Sequence, residues 1–123
     1  MLVSTAQAPR RGDIWMVDLA VPIGAEAAFE RPAVVVSNNA ANESASAMGR
    51  GVVTVVPITS NVRRVYPFQV RLAARPCGLR QESKAQAEQI RAVAVERLRK
   101  RVGRVPRKIA IELDAAIRLH LSL

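Results

Sequence analysis

Two short apolar runs constrain this chain more than any other feature. The first is Arg31-Pro32-Ala33-Val34-Val35-Val36, and the second is Val52-Val53-Thr54-Val55-Val56-Pro57-Ile58-Thr59-Ser60-Asn61. Each is long enough for one strand and too short for most helices. β-Branched enrichment and flanking Pro, Gly and Asn favour buried strands. Arg31 opens the first run, and Thr59-Ser60 close the second. In an antiparallel pair the start of one strand lies beside the end of the other. That arrangement would gather a guanidinium and two hydroxyls on one rim of a sheet.

The chain has 123 residues, half of them apolar, which fits one domain with a substantial core. Aromatic residues make up 3 %, so a broad base-stacking platform is not expected. The single cysteine, Cys77, excludes an internal disulfide and a multi-cysteine metal site, and the single histidine, His120, excludes any mechanism needing two imidazoles in one chain. No apolar run approaches the roughly 18 residues of a membrane span. Residues 1–9 lack the basic start and hydrophobic segment of a signal peptide and read as a flexible tail before a single domain over 10–123. A cytoplasmic protein with no membrane association is the expectation.

The net charge of +9 is uneven. Residues 1–62 carry four Arg against five carboxylates, whereas residues 63–123 carry fifteen Lys or Arg against five. A basic half points to a polyanionic partner, either nucleic acid or an acidic protein segment, with a solvated helix surface as the alternative.

Along the chain, Ile14 to Leu19 alternates as a strand. Residues 20–30 form a loop broken by Pro22 and Gly24, and Phe29 in it is either an exposed contact or a core plug. Asn38 or Asn39 caps one or two helical turns ending before Gly49. Residues 67–72 form a strand with Phe68, Val70 and Leu72 inward and Gln69 and Arg71 outward. Residues 83–95 satisfy helix propensity and strand alternation equally, and pattern alone leaves both open. Residues 96–101 read as a short basic helical turn. Pro106 opens a last helix whose apolar stripe is Ile109, Leu113, Ala116, Ile117 and His120, with Leu121 beside it. The sum is a mainly β (α+β), largely antiparallel sheet with helices at its ends.

Few chemistries suit these residues. Paired metal ligands, a phosphate-binding loop and a nucleophilic triad are all missing, so neither metal nor cofactor is expected. What remains is phosphodiester chemistry on RNA, whose 2′-OH supplies the nucleophile. An Arg fork binds two phosphate oxygens and stays charged, and hydroxyls or amides hold the remaining oxygen.

With these pieces assembled, the chain resembles the MazF/PemK family of toxin endoribonucleases. The resemblance rests on Arg11-Gly12-Asp13-Ile14-Trp15, Arg31 through Asn38, Val56-Pro57-Ile58-Thr59-Ser60 and Lys84 through Val93 containing Glu88-Gln89-Ile90-Arg91, in the family's order and spacing. It implies a small SH3-like barrel of the CcdB/MazF type, working as a homodimer. It implies metal-independent, sequence-specific cutting of single-stranded RNA, leaving a 2′,3′-cyclic phosphate and a 5′-OH, and so a block on translation. The family's catalytic Arg and Thr fall on Arg31 and Thr59. Ser60 fits an adjacent phosphate ligand, and Glu26 matches an acidic position that contacts RNA or assists proton movement. Gln89 matches an RNA-reading residue; Phe29, Asn61, Arg63 and Arg64 complete the RNA contacts. The resemblance makes residues 87–93 mostly strand. The implied partner is a MazE-like antitoxin with an acidic, disordered C-terminal tail. Two competing readings are a CcdB-like gyrase poison and a non-catalytic nucleic-acid-binding module. The first is disfavoured because the one tryptophan is Trp15 rather than a residue near the C-terminus.

Overall fold

A computed structural model describes residues 8–27 and 29–123. The elements in order are β1 (Asp13–Asp18), β2 (Glu30–Val35), α1 (Asn39–Met48), β3 (Val52–Thr59), β4 (Gln69–Leu72), the short α2 (Ala74–Cys77), β5 (Ser83–Gln86), β6 (Arg91–Ala94), β7 (Leu98–Arg104) and α3 (Arg107–Leu121). Single 3₁₀ turns, Ala87–Gln89 and Val95–Arg97, flank β6. All recorded strand pairings are antiparallel, and the sheet runs β4-β5-β3-β2-β1-β7 with β6 added against β3. This is the expected mainly β fold with short helices and a C-terminal helix.

The valine runs become β2 and β3, and their continuity has a packing cause. Even-numbered residues Val34, Val56 and Ile58 join Ile14, Leu72 and Ala85 in one core, closed by Leu113 and Ala116 of α3. Odd-numbered Ala33, Val35, Val53 and Val55 join Val17 and Val93 in a second core, closed by Ala45 of α1. Both faces are covered, so Val34, Val35, Val55 and Val56 are all 0 % exposed. Alternation vanishes from a strand when neither face is wet.

β3 has three neighbours. β2 lies along one side; on the other, β6 pairs Val52 through Val55 and β5 pairs Ile58 and Thr59. Residues 56 and 57 fall between those two ladders. Pro57, which cannot donate, therefore removes no bond from either. The 3₁₀ turn Ala87–Gln89 carries the chain across the same gap.

Several expectations are corrected. The segment left open at 83–95 is neither one helix nor one strand but β5, a turn and β6, so residues 87–93 are strand only from Arg91. The basic segment at 96–101 is not a helical turn: Val95–Arg97 is a 3₁₀ turn and the rest belongs to β7, drawn into the sheet by pairing with β1. Gln69, expected outward, is buried; its side chain accepts from the Tyr66 amide and donates to Glu88 Oε2 at 2.6 Å. Phe68 precedes β4 and stacks on Tyr66 instead. α1 is a ten-residue helix, longer than expected, but capped as expected by the Asn38 side chain on the Ala41 amide. Pro106 is the residue before α3 rather than its first. The packed stripe of α3 stops at Ile117; His120 and Leu121 are exposed. Of the expected tail, residues 1–7 lie outside the described residues, and Ala8 and Pro9 are buried.

Candidate active site

The β2–β3 ladder runs from Val35↔Val55 to Ala33↔Pro57 and is recorded no further. Prolines at 32 and 57 leave this end of the pair short of donors. Continuing the register by two residues sets Arg31 across from Thr59. Beyond the last pair, Arg31, Pro32, Ile58, Thr59 and Ser60 all line one cleft of about 980 Å³. Arg31 and Thr59 are half-buried and Ser60 is exposed, as suits groups that must meet a ligand from solvent. The two chain segments singled out in the sequence thus meet at one cavity.

The Thr59 hydroxyl accepts a hydrogen bond from the Asn61 amide at 3.2 Å. Its own O–H remains able to donate, since a hydroxyl carries one donor and two acceptor positions. The Asn61 side-chain oxygen in turn accepts from the Arg63 amide at 3.3 Å, giving the segment after β3 a local hydrogen-bonded turn.

The cleft is also basic. Arg80, Arg99, Lys100 and Arg101 line the cleft. The last two arrive because β7 pairs with β1, at Met16↔Lys100 and Trp15↔Arg101. Sequence reasoning missed all four as site residues. Leu98 and Val102 on either side of Arg99-Lys100-Arg101 offered only a broken alternation as a signal for β7. Two carboxylates temper this charge. Asp13, buried, pairs with Arg101 at 3.3 Å, and Asp18 pairs with Arg99 at 3.3 Å and Arg97 at 3.7 Å. The Ala20 amide, and then Arg97 and Arg99, hold the Asp18 carboxyl below its ordinary value. A second hollow of about 620 Å³ shares Arg99, Lys100 and Arg101 but holds neither Arg31 nor Thr59, so the chemistry favours the first.

The remaining candidates are placed as follows. Phe29 is 61 % exposed and lines the cleft, so it is not a core plug. Its backbone has φ +55, and that of Ala20 φ +64, an uncommon conformation for residues with a Cβ. Two backbone bonds of 2.8 Å, Leu19 N–H to the Phe29 carbonyl and Phe29 N–H to the Ala20 carbonyl, pin the base of this loop. Glu26 is exposed and folds back on its own loop, accepting from the Ile23 amide at 2.7 Å; it does not line the cleft. Gln89 fastens the same loop from the other side. It accepts from the Ala27 amide at 3.1 Å and donates to the Ala25 carbonyl at 2.9 Å. Arg63 and Arg64 are exposed beyond the cleft, and Arg64 lies over the Tyr66 ring with its head 3.2 Å from the phenol oxygen. Among the described residues, no three His, Cys, Asp or Glu side chains gather as metal ligands, and no helix is long and apolar enough to cross a membrane.

An antiparallel sheet closed by a C-terminal helix is the fold of solved MazF toxins. Residues 10–121 match the family of PemK-like, MazF-like toxins of type II toxin–antitoxin systems, and the chain belongs to that family. It is 57 % identical over 114 residues to endoribonuclease MazF9 of Mycobacterium tuberculosis, covering 93 % of this chain and 97 % of that one. It is 28 % identical over 116 residues to endoribonuclease EndoA of Bacillus subtilis, covering 93 % and 95 %. Among solved structures it is similar to MazF from Deinococcus radiodurans, with a TM-score of 0.77 and 24 % identity over 94 % of this chain and 98 % of that one. It is likewise similar to a mycobacterial endoribonuclease in complex with its cognate antitoxin, with a TM-score of 0.71 and 24 % identity over 94 % and 97 %.

Proposed function

We propose that this chain is the toxin of a type II toxin–antitoxin pair, a sequence-specific, metal-independent endoribonuclease that cuts single-stranded RNA and blocks translation. The observation that carries the reading is the convergence of Arg31, Thr59 and Ser60 on one cleft that Arg80, Arg99, Lys100 and Arg101 also line. In this reading the RNA 2′-oxygen attacks the adjacent phosphorus in line. The 2′-O–P bond forms and the P–O5′ bond breaks, leaving a 2′,3′-cyclic phosphate and a 5′-OH. The 2′-OH loses a proton and the departing 5′-oxygen gains one. The Arg31 fork binds non-bridging oxygens as their charge grows. The Thr59 hydroxyl, oriented by the Asn61 amide, donates to the same group, with Ser60 beside it. Neither Arg nor Thr is a base at neutral pH, so their work is positioning and charge stabilisation.

The RNA strand beyond the scissile phosphate follows the basic residues of the cleft and the exposed loop residues Phe29, Asn61, Arg63 and Arg64. Glu26 and Gln89 act through the shape of the 20–29 loop that they brace. The working unit is a cytoplasmic homodimer whose toxin domain spans residues 10–123. A MazE-like antitoxin with an acidic tail inhibits it by covering the cationic cleft.

The test is incubation of purified protein with single-stranded RNA in EDTA. Cyclic-phosphate ends are expected, together with loss of cutting in Arg31→Ala while the variant stays folded. Intact RNA at high enzyme concentration would overturn the reading.

A further inference from the structure

Lys84 is a buried cation in the middle of the sheet, 8 % exposed. It lies on β5, where its register partners are Thr59 on one side and Arg71 on the other. Directly opposed residues on antiparallel strands share a face, so Lys84 is the immediate neighbour of Thr59. Burying an ammonium is costly unless it is compensated. Here the compensation comes from the segment between β3 and β4. The Lys84 ammonium donates to the Arg64 carbonyl at 2.6 Å and sits 5.9 Å from the centre of the Tyr66 ring. Tyr66 is held in turn by stacking on Phe68 at 5.4 Å and by the Gln69 side chain on its amide.

These bonds tie down the far end of the segment whose near end carries the proposed site. From Thr59 the chain runs through Ser60, Asn61 and Arg63 to the Arg64 carbonyl. Between Thr59 and Arg64 the stretch is held by turn bonds at Asn61 and Arg63 of 3.2 and 3.3 Å. One buried ammonium therefore closes a loop that both begins and ends beside it. Resting on the nuclease reading, we propose that Lys84 is a positioning residue for RNA cleavage, fixing the 60–66 segment and thereby Ser60 and the Asn61 amide against the Thr59 hydroxyl. A small displacement of groups aligned with a reacting phosphate costs rate rather than binding, up to about a hundredfold for roughly 1 Å.

The experiment compares the full chain with Lys84→Met and Lys84→Arg by RNA-cleavage kinetics and by limited trypsin digestion, which cuts after Arg63 and Arg64. In Lys84→Met, kcat should fall about 10–100-fold with KM little changed. Tryptic nicking at 63–64 should accelerate severalfold. Lys84→Arg, which keeps a buried cationic donor, should restore most of both. Should Lys84→Met fail to fold, Tyr66→Leu removes the ring from an exposed position and should move both readouts the same way by a smaller amount. An active wild type whose Lys84→Met or Tyr66→Leu variant keeps its kcat overturns the role of Lys84 and leaves the nuclease reading intact. An inert wild type overturns the nuclease reading itself. Faster nicking without loss of kcat reduces Lys84 to a structural tie and also overturns the proposal.

Discussion

Gly78 and Gly103 meet backbone to backbone where the end of α2 packs on β7. A Cβ on Gly78 would stand 2.6 Å from the Val102 carbonyl, and one on Gly103 would collide with the Cys77 carbonyl. Gly78 also has φ +76, which disfavours any L side chain. The hydrogen-bonded sheet ends at β4 and β7, so this approach joins its two ends where no ladder does. Gly103→Ala should lower stability by about 1–3 kcal/mol, the usual range for forced overpacking. Urea unfolding followed by Trp15 fluorescence measures it; an unchanged midpoint would show that the seam gives way freely.

Arg31→Lys keeps the charge and loses the fork. Cleavage should fall roughly 10²–10³-fold, as for loss of one oriented donor to a developing oxyanion. Thr59→Val removes the hydroxyl at nearly constant volume and should cost a similar factor. Both variants should melt close to the wild type, and near-wild-type turnover in either would remove that side chain from the mechanism.

Asp13 sits at the base of the β1–β7 ladder, accepting from the Arg10 amide at 2.9 Å and the Trp15 indole at 3.5 Å while pairing with Arg101. Asp13→Ala should destabilise by about 1–3 kcal/mol, the cost of losing hydrogen bonds to a buried carboxylate. Denaturant titration reads the loss, and the Trp15 emission maximum should shift as its indole loses a partner.

The depressed Asp18 carboxyl makes an acid-side prediction. Its folded value lies below the ordinary 3.8, so its contribution is present above that pH and is lost as pH falls through the folded value. Asp18→Asn should therefore have a flatter Tm profile than the wild type as pH falls below the ordinary value of 3.8. Parallel profiles would show that the Ala20 amide, Arg97 and Arg99 do not favour the charged form in solution.

Burial pushes the Cys77 thiol above its ordinary value. The native protein should resist thiol reagents at pH 8 and become fully reactive in denaturant. The stabilisation from keeping this thiol neutral is complete below the unfolded value and fades as pH rises through the folded one. Rapid native labelling would contradict the burial.

Legibility in the sequence followed how local the cause was. Arg31 and Thr59 were readable because each ends a valine-rich strand, and an antiparallel pair brings such ends together. The Asn38 cap was readable for the same local reason. Gln69 was misread because alternation assumes one wet face, whereas Tyr66 and Glu88 enclose it. The Lys- and Arg-rich stretch at 96–101 suits a helix, but pairing with β1 overrides propensity in β7. Lys100 and Arg101 became site residues only once that pairing was known. Residues 83–95 carried no single period because the chain there serves two different ends of β3 in turn.

β3 is gripped along both edges, by β2 on one and by β6 and β5 in succession on the other. Such a strand exchanges its amide protons only when the whole molecule opens, whereas peripheral segments breathe at far lower cost. At Thr59 only the β5 side of that grip remains, since the β2 ladder stops at Pro57, and the segment that follows is held by Lys84 at the Arg64 carbonyl. The hydroxyl at the end of β3 thus owes its place to β5 on one side and to the tethered segment after it on the other.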